Sequence, residues 1–156
     1  MNTVEAPSQQ YCSVTRALGV LGHKWNLLLL REAMRGRTRF AEFERIGIPT
    51  ATLGQRLRDL VDAGLFERRT YREEGERARD EYVPTPAARD VVPVLVALSA
   101  WGDYHVPLDG GPGIVYVTKD AGRRVHVNLV DDEGRAVDPA DVEVVAGPGY
   151  EAALEL

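Results

Sequence analysis

The segment that most constrains this chain is TATLGQRLRDLVDAG, residues 50–64, because it carries the pattern of an amphipathic helix with defined ends. The hydroxyl of Thr50, directly after Pro49, predicts an N-terminal cap, and Gly64 predicts a left-handed C-terminal cap. Apolar side chains recur at 3.6-residue spacing along one face, at Leu53, Leu57, Leu60 and Val61. The segment therefore predicts a helix that buries one face and exposes the other.

The opposite face of this helix is predicted to be exposed. It holds Ala51, Thr52, Gln55 and Arg58, with Arg56 at its flank. A glutamine can form two hydrogen bonds with adenine, and a threonine can contact the methyl group of thymine, whereas an arginine at the flank favours phosphate. The solvated face of an ordinary amphipathic helix has the same composition, so this segment alone leaves both interpretations open.

Shorter helices are predicted on the N-terminal side of this segment. Ser13 is the expected N-cap of a helix over residues 14–21, and a second helix spans about residues 24–34. Thr38 is the expected cap of a third helix over residues 39–45, which a short glycine-containing turn joins to the segment described above. Two helices joined in this way are typical of a helix-turn-helix motif.

On the C-terminal side the period of the pattern changes from 3.6 to 2, which predicts strands. An alternating segment covers about residues 65–71, and residues 80–83 supply a return strand. The charged segment between them contains Gly75, which suits the tip of a hairpin. A two-stranded ribbon after a helix-turn-helix is the wing of a winged helix protein.

A long apolar helix is predicted after this ribbon. Thr85 and Pro86 indicate its start, Pro93 predicts a bend or a later start, and Gly102 predicts its end. Its apolar residues exceed what one face of a small domain needs, which favours a dimer interface.

Charge is distributed unevenly along the chain, whose formal net charge is −5. Residues 12–108 hold 15 Lys+Arg against 13 Asp+Glu, whereas residues 109–156 hold 4 against 10. Residues 31–58 alone carry a net charge of +4, as expected of a surface that binds phosphates. The acidic C-terminal region is therefore expected to lie away from a nucleic acid.

These patterns predict an α+β fold, a winged helix-turn-helix domain with a small β-rich C-terminal appendage. Residues 1–11 are expected to form a flexible arm, residues 12–108 a DNA-binding and dimerisation domain, and residues 109–156 an acidic extension with strands over 113–147. No secretory signal is evident, no apolar run is long enough to span a membrane, and a single cysteine fits a reducing cytoplasm.

Catalytic and cofactor-binding patterns do not stand out. The sequence has no phosphate-binding glycine motif, nucleophile elbow or metalloprotease motif, so no enzyme is expected. His23, His105 and His126 are scattered rather than clustered, so neither a metal site nor a cofactor is expected.

Three motifs in this order, CSVTRALGVLGHKWNLLLLREAMRGRTRF, TLGQRLRDLVDAGLFERR and EYVPTPAARDVVPVLVALSAWG, resemble HxlR-type winged helix regulators, a MarR-like bacterial family. The resemblance covers about residues 11–104. It implies a cytoplasmic homodimer that binds pseudo-palindromic operators in double-stranded DNA and either activates or represses transcription. The expected DNA-binding residues are Arg37, Thr38, Arg39, Thr50, Ala51, Thr52, Gln55, Arg56, Arg58, Arg68, Arg69, Arg77 and Arg79.

Two further sites are expected. Cys12 corresponds to a cysteine that some family members use to sense oxidants or electrophiles, and a position near a helix N-terminus favours the thiolate; the alternative is an inert structural cysteine. Trp25, Trp101 and Tyr104, together with the dimer mate, are the expected pocket for a small-molecule effector. Alternative functions are a small-molecule-sequestering protein, for which DNA binding is secondary, and an adaptor whose acidic tail contacts another protein.

Overall fold

The computed structural model describes residues 12–149, so the predicted arm of residues 1–11 and the end of the tail lie outside the described residues. One compact unit spans Ala17–Leu98, and the other described residues belong to a second. The predicted domain boundaries remain a prediction. The elements, in order, are α1 (Ser13–Leu21), α2 (Lys24–Met34), α3 (Phe40–Glu44), α4 (Thr50–Asp62), β1 (Phe66–Tyr71), β2 (Arg79–Pro84), α5 (Pro86–Arg89), α6 (Val92–His105) and a 3-10 helix (Pro139–Asp141).

The apolar core of the Ala17–Leu98 unit forms where α2, α3 and α4 meet the two strands. Phe43 on α3 and Phe66 on β1 are both buried, with ring centroids 6.0 Å apart. The predicted apolar face of α4 is confirmed for its three leucines, which are fully buried, whereas Val61 is half-buried. The largest fully buried apolar side chains are Leu29, Leu30, Phe43, Leu53, Leu57 and Leu60.

The start of α4 differs from the prediction. Pro49 occupies the N-cap position, and Thr50 is the first helical residue. The Thr50 hydroxyl donates a hydrogen bond to Glu44 Oε1 (3.1 Å) instead of accepting one from the first turn. The prediction that Thr50 caps α4 was wrong, because Pro49, whose backbone is not helical, already occupies the N-cap position.

The end of α4 confirms the prediction. Gly64 has φ of 73°, a conformation that glycine adopts without the steric penalty of a Cβ atom. The Leu65 N–H donates to the Leu60 carbonyl (2.9 Å), which satisfies a helix C-terminal acceptor. This cap turns the chain directly from α4 into β1.

The strands β1 and β2 form the predicted antiparallel hairpin, with Arg68 opposite Tyr82 in the register. Gly75 at the tip has φ of 78°. The hairpin is also attached to the segment before α3, because the Tyr82 N–H donates to the Thr38 carbonyl (2.7 Å). The α+β winged helix-turn-helix prediction is confirmed.

The last helical region is split. A cap in which the Thr85 hydroxyl accepts from the Ala88 N–H begins α5, and α6 begins at Val92, close to the predicted late start at Pro93. The predicted end at Gly102 was wrong, since α6 continues to His105. A helix interior tolerates glycine at about 1 kcal/mol relative to alanine, so neighbouring turns can carry the helix past it. Across residues 12–149, none of the helices combines the length and apolarity that crossing a bilayer requires.

The C-terminal extension, which we define as residues 109–149 of the described chain, contains turns and isolated bridges in place of the expected strands. The bridges join Val117 to Arg124 and Val130 to Ala136. One turn of the extension is held by Asp131, whose Oδ1 accepts from the Arg135 N–H (2.9 Å). Alternating sequence favours extended backbone, but a strand also needs a neighbour to pair with.

Candidate nucleic-acid interface

The solvent-facing side of α4 carries the residues predicted from its sequence. Ala51, Gln55 and Arg58 are exposed, and Thr52 is half-buried. Because the leucines of the other face are locked in the core, the helix cannot rotate without exposing them. The fold thus presents a fixed row of side chains at the surface, beside the wing.

The side chains at the centre of this face are hydrogen-bonded to one another. Gln55 Nε2 donates to Asp59 Oδ1 (2.7 Å), and an Arg58 guanidinium N–H donates to Gln55 Oε1 (2.8 Å). These bonds are exposed, and exposed polar contacts of this kind contribute little stability. A ligand can therefore replace them, and until then they hold the amide of Gln55 in one orientation.

Arg56 lies at the flank of the face, as expected. Its side chain is only 24% exposed, and its guanidinium forms an ion pair with Asp59 Oδ2 (2.8 Å). A phosphate that binds Arg56 has to compete with this carboxylate. Asp59 was not predicted as a site residue, although its position three residues after Arg56 places the two side chains on neighbouring turns.

The segment before α3 is held by a buried carboxylate. Glu32 on α2 is 1% exposed and pairs with Arg31 (2.9 Å), Arg35 (3.3 Å) and Arg37. The guanidinium of Arg37, expected to bind DNA, is thus paired with a buried carboxylate, while the Arg37 side chain itself is 29% exposed. Glu32 was not predicted as a site residue. It lies three residues after Leu29, so helical spacing places it on the buried face of α2, and this spacing can be read from the sequence.

The N-terminus of α3 is capped by Glu42 and not by Thr38. Glu42 Oε2 accepts from the backbone N–H groups of Arg39 and Thr38 (both 2.9 Å), and these bonds lower the pKa of the carboxyl group. The Thr38 hydroxyl instead donates to Glu81 Oε2 on β2 (3.2 Å). The prediction that Thr38 caps α3 was wrong, because α3 begins at Phe40 and Arg39, one position after Thr38, is the N-cap residue.

Arg39 connects α3 to the wing. Its guanidinium lies 4.6 Å from the ring centroid of Tyr71 and pairs with Glu73 Oε1 (2.8 Å). An open groove of about 620 Å³ runs beside it, between α3 and the strands, and Arg45 and Arg79 contribute to its lining. The groove is mixed in character, since aromatic rings, guanidinium groups and the carboxyl groups of Glu42 and Asp80 all line it.

The wing arginines are exposed and mostly paired with carboxylates of the same hairpin. Arg68 pairs with Asp80 (3.7 Å), Arg69 with Glu67 (2.8 Å) and Arg79 with Glu76 (2.6 Å). Arg77 makes no ion pair within residues 12–149. The wing therefore offers guanidinium groups whose charge is partly balanced.

Cys12 occupies the N-cap position of α1, which begins at Ser13, so the expectation that Ser13 is the cap was wrong. The thiol is exposed. The backbone N–H and the hydroxyl of Thr15, the N–H of Val14 and the charge of Arg16 all lower the pKa of the Cys12 thiol. A helix N-terminus favours a thiolate because its free N–H groups point toward the sulfur.

The aromatic residues of the expected effector pocket have different surroundings. Trp25 on α2 is half-buried, and Lys24 Nζ lies 4.9 Å from its ring centroid. Trp101 and Tyr104 on α6 are exposed, and the ring centroid of His105 lies 4.8 Å from each. The role of these residues as a pocket remains a prediction.

The two helices α3 and α4, joined by a tight turn and followed by a two-stranded wing, define a winged helix-turn-helix protein. The HxlR-like helix-turn-helix family matches residues 20–109, and the chain belongs to this family. It is a DNA-binding transcriptional regulator of HxlR type.

Comparison with known proteins supports this assignment. An HTH-type transcriptional regulator of Mycobacterium tuberculosis is 40% identical over 144 residues, which cover 91% of this chain and 90% of the relative. The crystal structure of the candidate transcription factor PA1607 superposes with a TM-score of 0.76 and 30% identity, covering 87% of this chain and 95% of that one. The redox regulator HypR in its reduced form gives a TM-score of 0.54 and 30% identity, over 60% of this chain and 92% of HypR.

Proposed function

We propose that the protein acts in the cytoplasm as a homodimer that represses or activates transcription from pseudo-palindromic operators, with α4 in the major groove. The observation that carries this proposal is the two-sided character of α4, which buries its leucines and presents Thr52 and Gln55 at the surface. We assign the protein no catalytic activity, in line with the transcriptional regulators that it resembles. Binding to duplex DNA that weakens steeply with salt tests the proposal, because phosphate neutralisation releases counterions.

Two helices support the dimer. α1 buries none of its residues, and Val14 and Leu18 lie exposed one turn apart on it. On α6, Val94, Leu98 and Trp101 are exposed at i, i+4 and i+7, which places them on one stripe. Water-exposed apolar stripes of this kind are typical of helices that pack against a partner. Twofold symmetry would then pair two copies of α4 with the two halves of an operator.

The first prediction concerns base reading. Gln55→Ala is expected to weaken operator binding by about 1–3 kcal/mol and to change binding to random DNA little, because a base contact is lost. Arg56→Ala is expected to weaken binding to both DNAs and to reduce the salt-dependence slope by about one unit, because a phosphate contact is lost. Titration of labelled duplexes at several salt concentrations measures both effects.

Asp62→Ala is the matched control, since Asp62 is exposed at the far end of the same helix. Its operator affinity should stay close to that of the wild type. An equal loss on operator and random DNA for Gln55→Ala would show that Gln55 only positions the backbone. Binding that is insensitive to salt would favour the sequestering or adaptor alternatives over DNA binding.

We also infer that Cys12 senses thiol-reactive compounds. The exposure of the thiol and the bonds offered by Thr15 support this proposal, and the structural similarity to a redox regulator adds to it. With one cysteine in the chain, the available products are a disulfide between two subunits and a mixed adduct with a small thiol. Either product changes the start of α1.

The second prediction follows from the lowered pKa of Cys12. The rate of alkylation by iodoacetamide should reach half of its plateau at a lower pH than for free cysteine, because the folded protein populates the thiolate earlier as pH rises. Diamide should change operator binding of the wild type but not of Cys12→Ser. An identical diamide response in Cys12→Ser, or an alkylation midpoint at that of free cysteine, would contradict a sensing role.

A further inference from the structure

The wing is joined to the segment before α3 near the middle of β2. The Tyr82 N–H donates to the Thr38 carbonyl (2.7 Å), and the Thr38 hydroxyl donates to Glu81 Oε2 (3.2 Å). An isolated backbone bridge also pairs Arg39 with Glu81. These bonds hold the inner part of the hairpin against the helix-turn-helix.

The outer wing, which we define as residues 71–79, has no such backbone attachment among the described residues, and none of its residues is buried. The open groove of about 620 Å³ lies between it and α3. Apart from contacts with Arg39, the side-chain hydrogen bonds and ion pairs of the outer wing within residues 12–149 stay inside the hairpin. Arg72 Nε donates to the Glu76 carbonyl (3.1 Å), and Arg79 pairs with Glu76 (2.6 Å).

Arg39, the N-cap residue of α3, is the residue that reaches the outer wing from the helix-turn-helix. Its guanidinium lies 4.6 Å from the ring centroid of Tyr71, at the end of β1, and pairs with Glu73 Oε1 (2.8 Å) two residues further on. A planar guanidinium can stack on a ring and pair with a carboxylate at the same time, whereas the compact ammonium group of a lysine is poorly suited to do both. The two contacts together restrict the angle at which the outer wing stands.

We propose that Arg39 is a positioning residue that sets the angle of the outer wing relative to α4, and that it does not itself contact DNA. This inference rests on the proposed function, in which exposed wing arginines such as Arg77 approach the duplex beside α4. The guanidinium of Arg39 is stacked on Tyr71 and its charge is balanced by Glu73, so a phosphate has to displace both contacts. Arg39 then acts on operator affinity through the place at which Arg77 meets the duplex.

The effect of Glu73 separates positioning from phosphate contact by its sign. If Arg39 contacted phosphate, Glu73 would compete with that phosphate, and Glu73→Ala would strengthen operator binding. If Arg39 positions the outer wing, Glu73→Ala weakens operator binding even though it removes a negative charge. Glu74→Ala is the matched control, because Glu74 is the next residue, is exposed, and forms no ion pair within residues 12–149.

The binding experiment uses the full chain and a labelled duplex that the wild type has enriched from a random-sequence pool. Arg39→Ala, Glu73→Ala and Tyr71→Leu should each raise the dissociation constant roughly three- to tenfold, whereas Glu74→Ala should leave it unchanged or lower it. Arg39→Lys should stay close to Arg39→Ala, because it keeps the charge but loses the combined stacking and pairing. Circular dichroism checks that each variant is folded.

Two results of this titration overturn the inference. One is tighter binding by Glu73→Ala, and the other is recovery of wild-type affinity in Arg39→Lys. Either result would make Arg39 a phosphate contact, because a lysine can replace an arginine as a point charge beside a phosphate.

Hydrogen exchange of the free protein tests the same attachment without DNA. Amides of residues 71–79 should exchange roughly threefold faster or more in Arg39→Ala and Glu73→Ala than in the wild type and Glu74→Ala, whereas the Phe66 amide should be unaffected. Equal exchange in all four proteins overturns the inference and leaves DNA binding standing. A wild type that enriches no duplex overturns the proposed function, while the exchange rates still show whether Arg39 holds the outer wing.

Discussion

Replacing Leu57 with alanine is expected to lower the free energy of unfolding by about 3–5 kcal/mol, because it leaves a cavity in a tightly packed core. Leu57 is fully buried on α4, beside Leu53 and Leu60. These side chains hold α4 against the rest of the unit, so their loss also loosens the surface that presents Gln55. Denaturant titration followed by circular dichroism measures the change in stability.

Asp62→Ala serves as the comparison for this experiment too, because it places the same residue on an exposed position of the same helix. Its free energy of unfolding should stay within about 0.5 kcal/mol of the wild type. A Leu57→Ala effect as small as that of Asp62→Ala would mean that α4 is not anchored through its leucines. In that case the surface row of α4 could not be held in a fixed orientation.

The second large effect is expected at Glu32. Glu32→Ala should lower the free energy of unfolding by about 2–4 kcal/mol, because three arginines lose a buried, charge-assisted partner. The loss in free energy of unfolding should stay below that caused by a fully buried, unpaired charge, since the arginine side chains are 27–50% exposed and can be hydrated. Glu32→Gln keeps the side-chain volume and should fall between the wild type and Glu32→Ala.

Operator binding gives a further readout of the same cluster. Glu32 forms an ion pair with Arg37, which directly precedes Thr38. Glu32→Ala should therefore also weaken operator binding under conditions in which the variant is folded. Glu74→Ala is the control for charge, because Glu74 is exposed near the hairpin tip. Equal stability losses in Glu32→Ala and Glu74→Ala would show that the buried cluster has no structural role.

Much of the helical architecture is predictable because it depends on local pattern. The leucine spacing of α4 and the glycine at its end specify a helix whose buried face and C-terminal cap agree with the structure. The change to a period of two after Gly64 likewise predicts the wing. The caps are less predictable. The predicted cap residues each lie one position from the N-cap in the structure, because the first helical residue is Phe40 in α3 and Thr50 in α4. The hydroxyls of Thr38 and Thr50 donate to Glu81 and Glu44 instead.

The sequence by itself determined which segments form helices, where the wing follows, and which face of α4 meets solvent, since periodicity and glycine positions act over a few residues. Only the tertiary structure decided how charged groups of different elements are partnered. It brought Glu81 of β2 to Thr38, and it placed Arg37, which lies beyond the end of α2, against the buried carboxylate of Glu32. The contacts of Asp59 with Gln55 and Arg56, by contrast, follow from helical spacing within α4. The tertiary structure also left the alternating segments of the extension without strands to pair with. The physical reason is that ion pairs and strand pairing depend on which groups the fold brings within a few ångströms, and that distance is not encoded in local spacing.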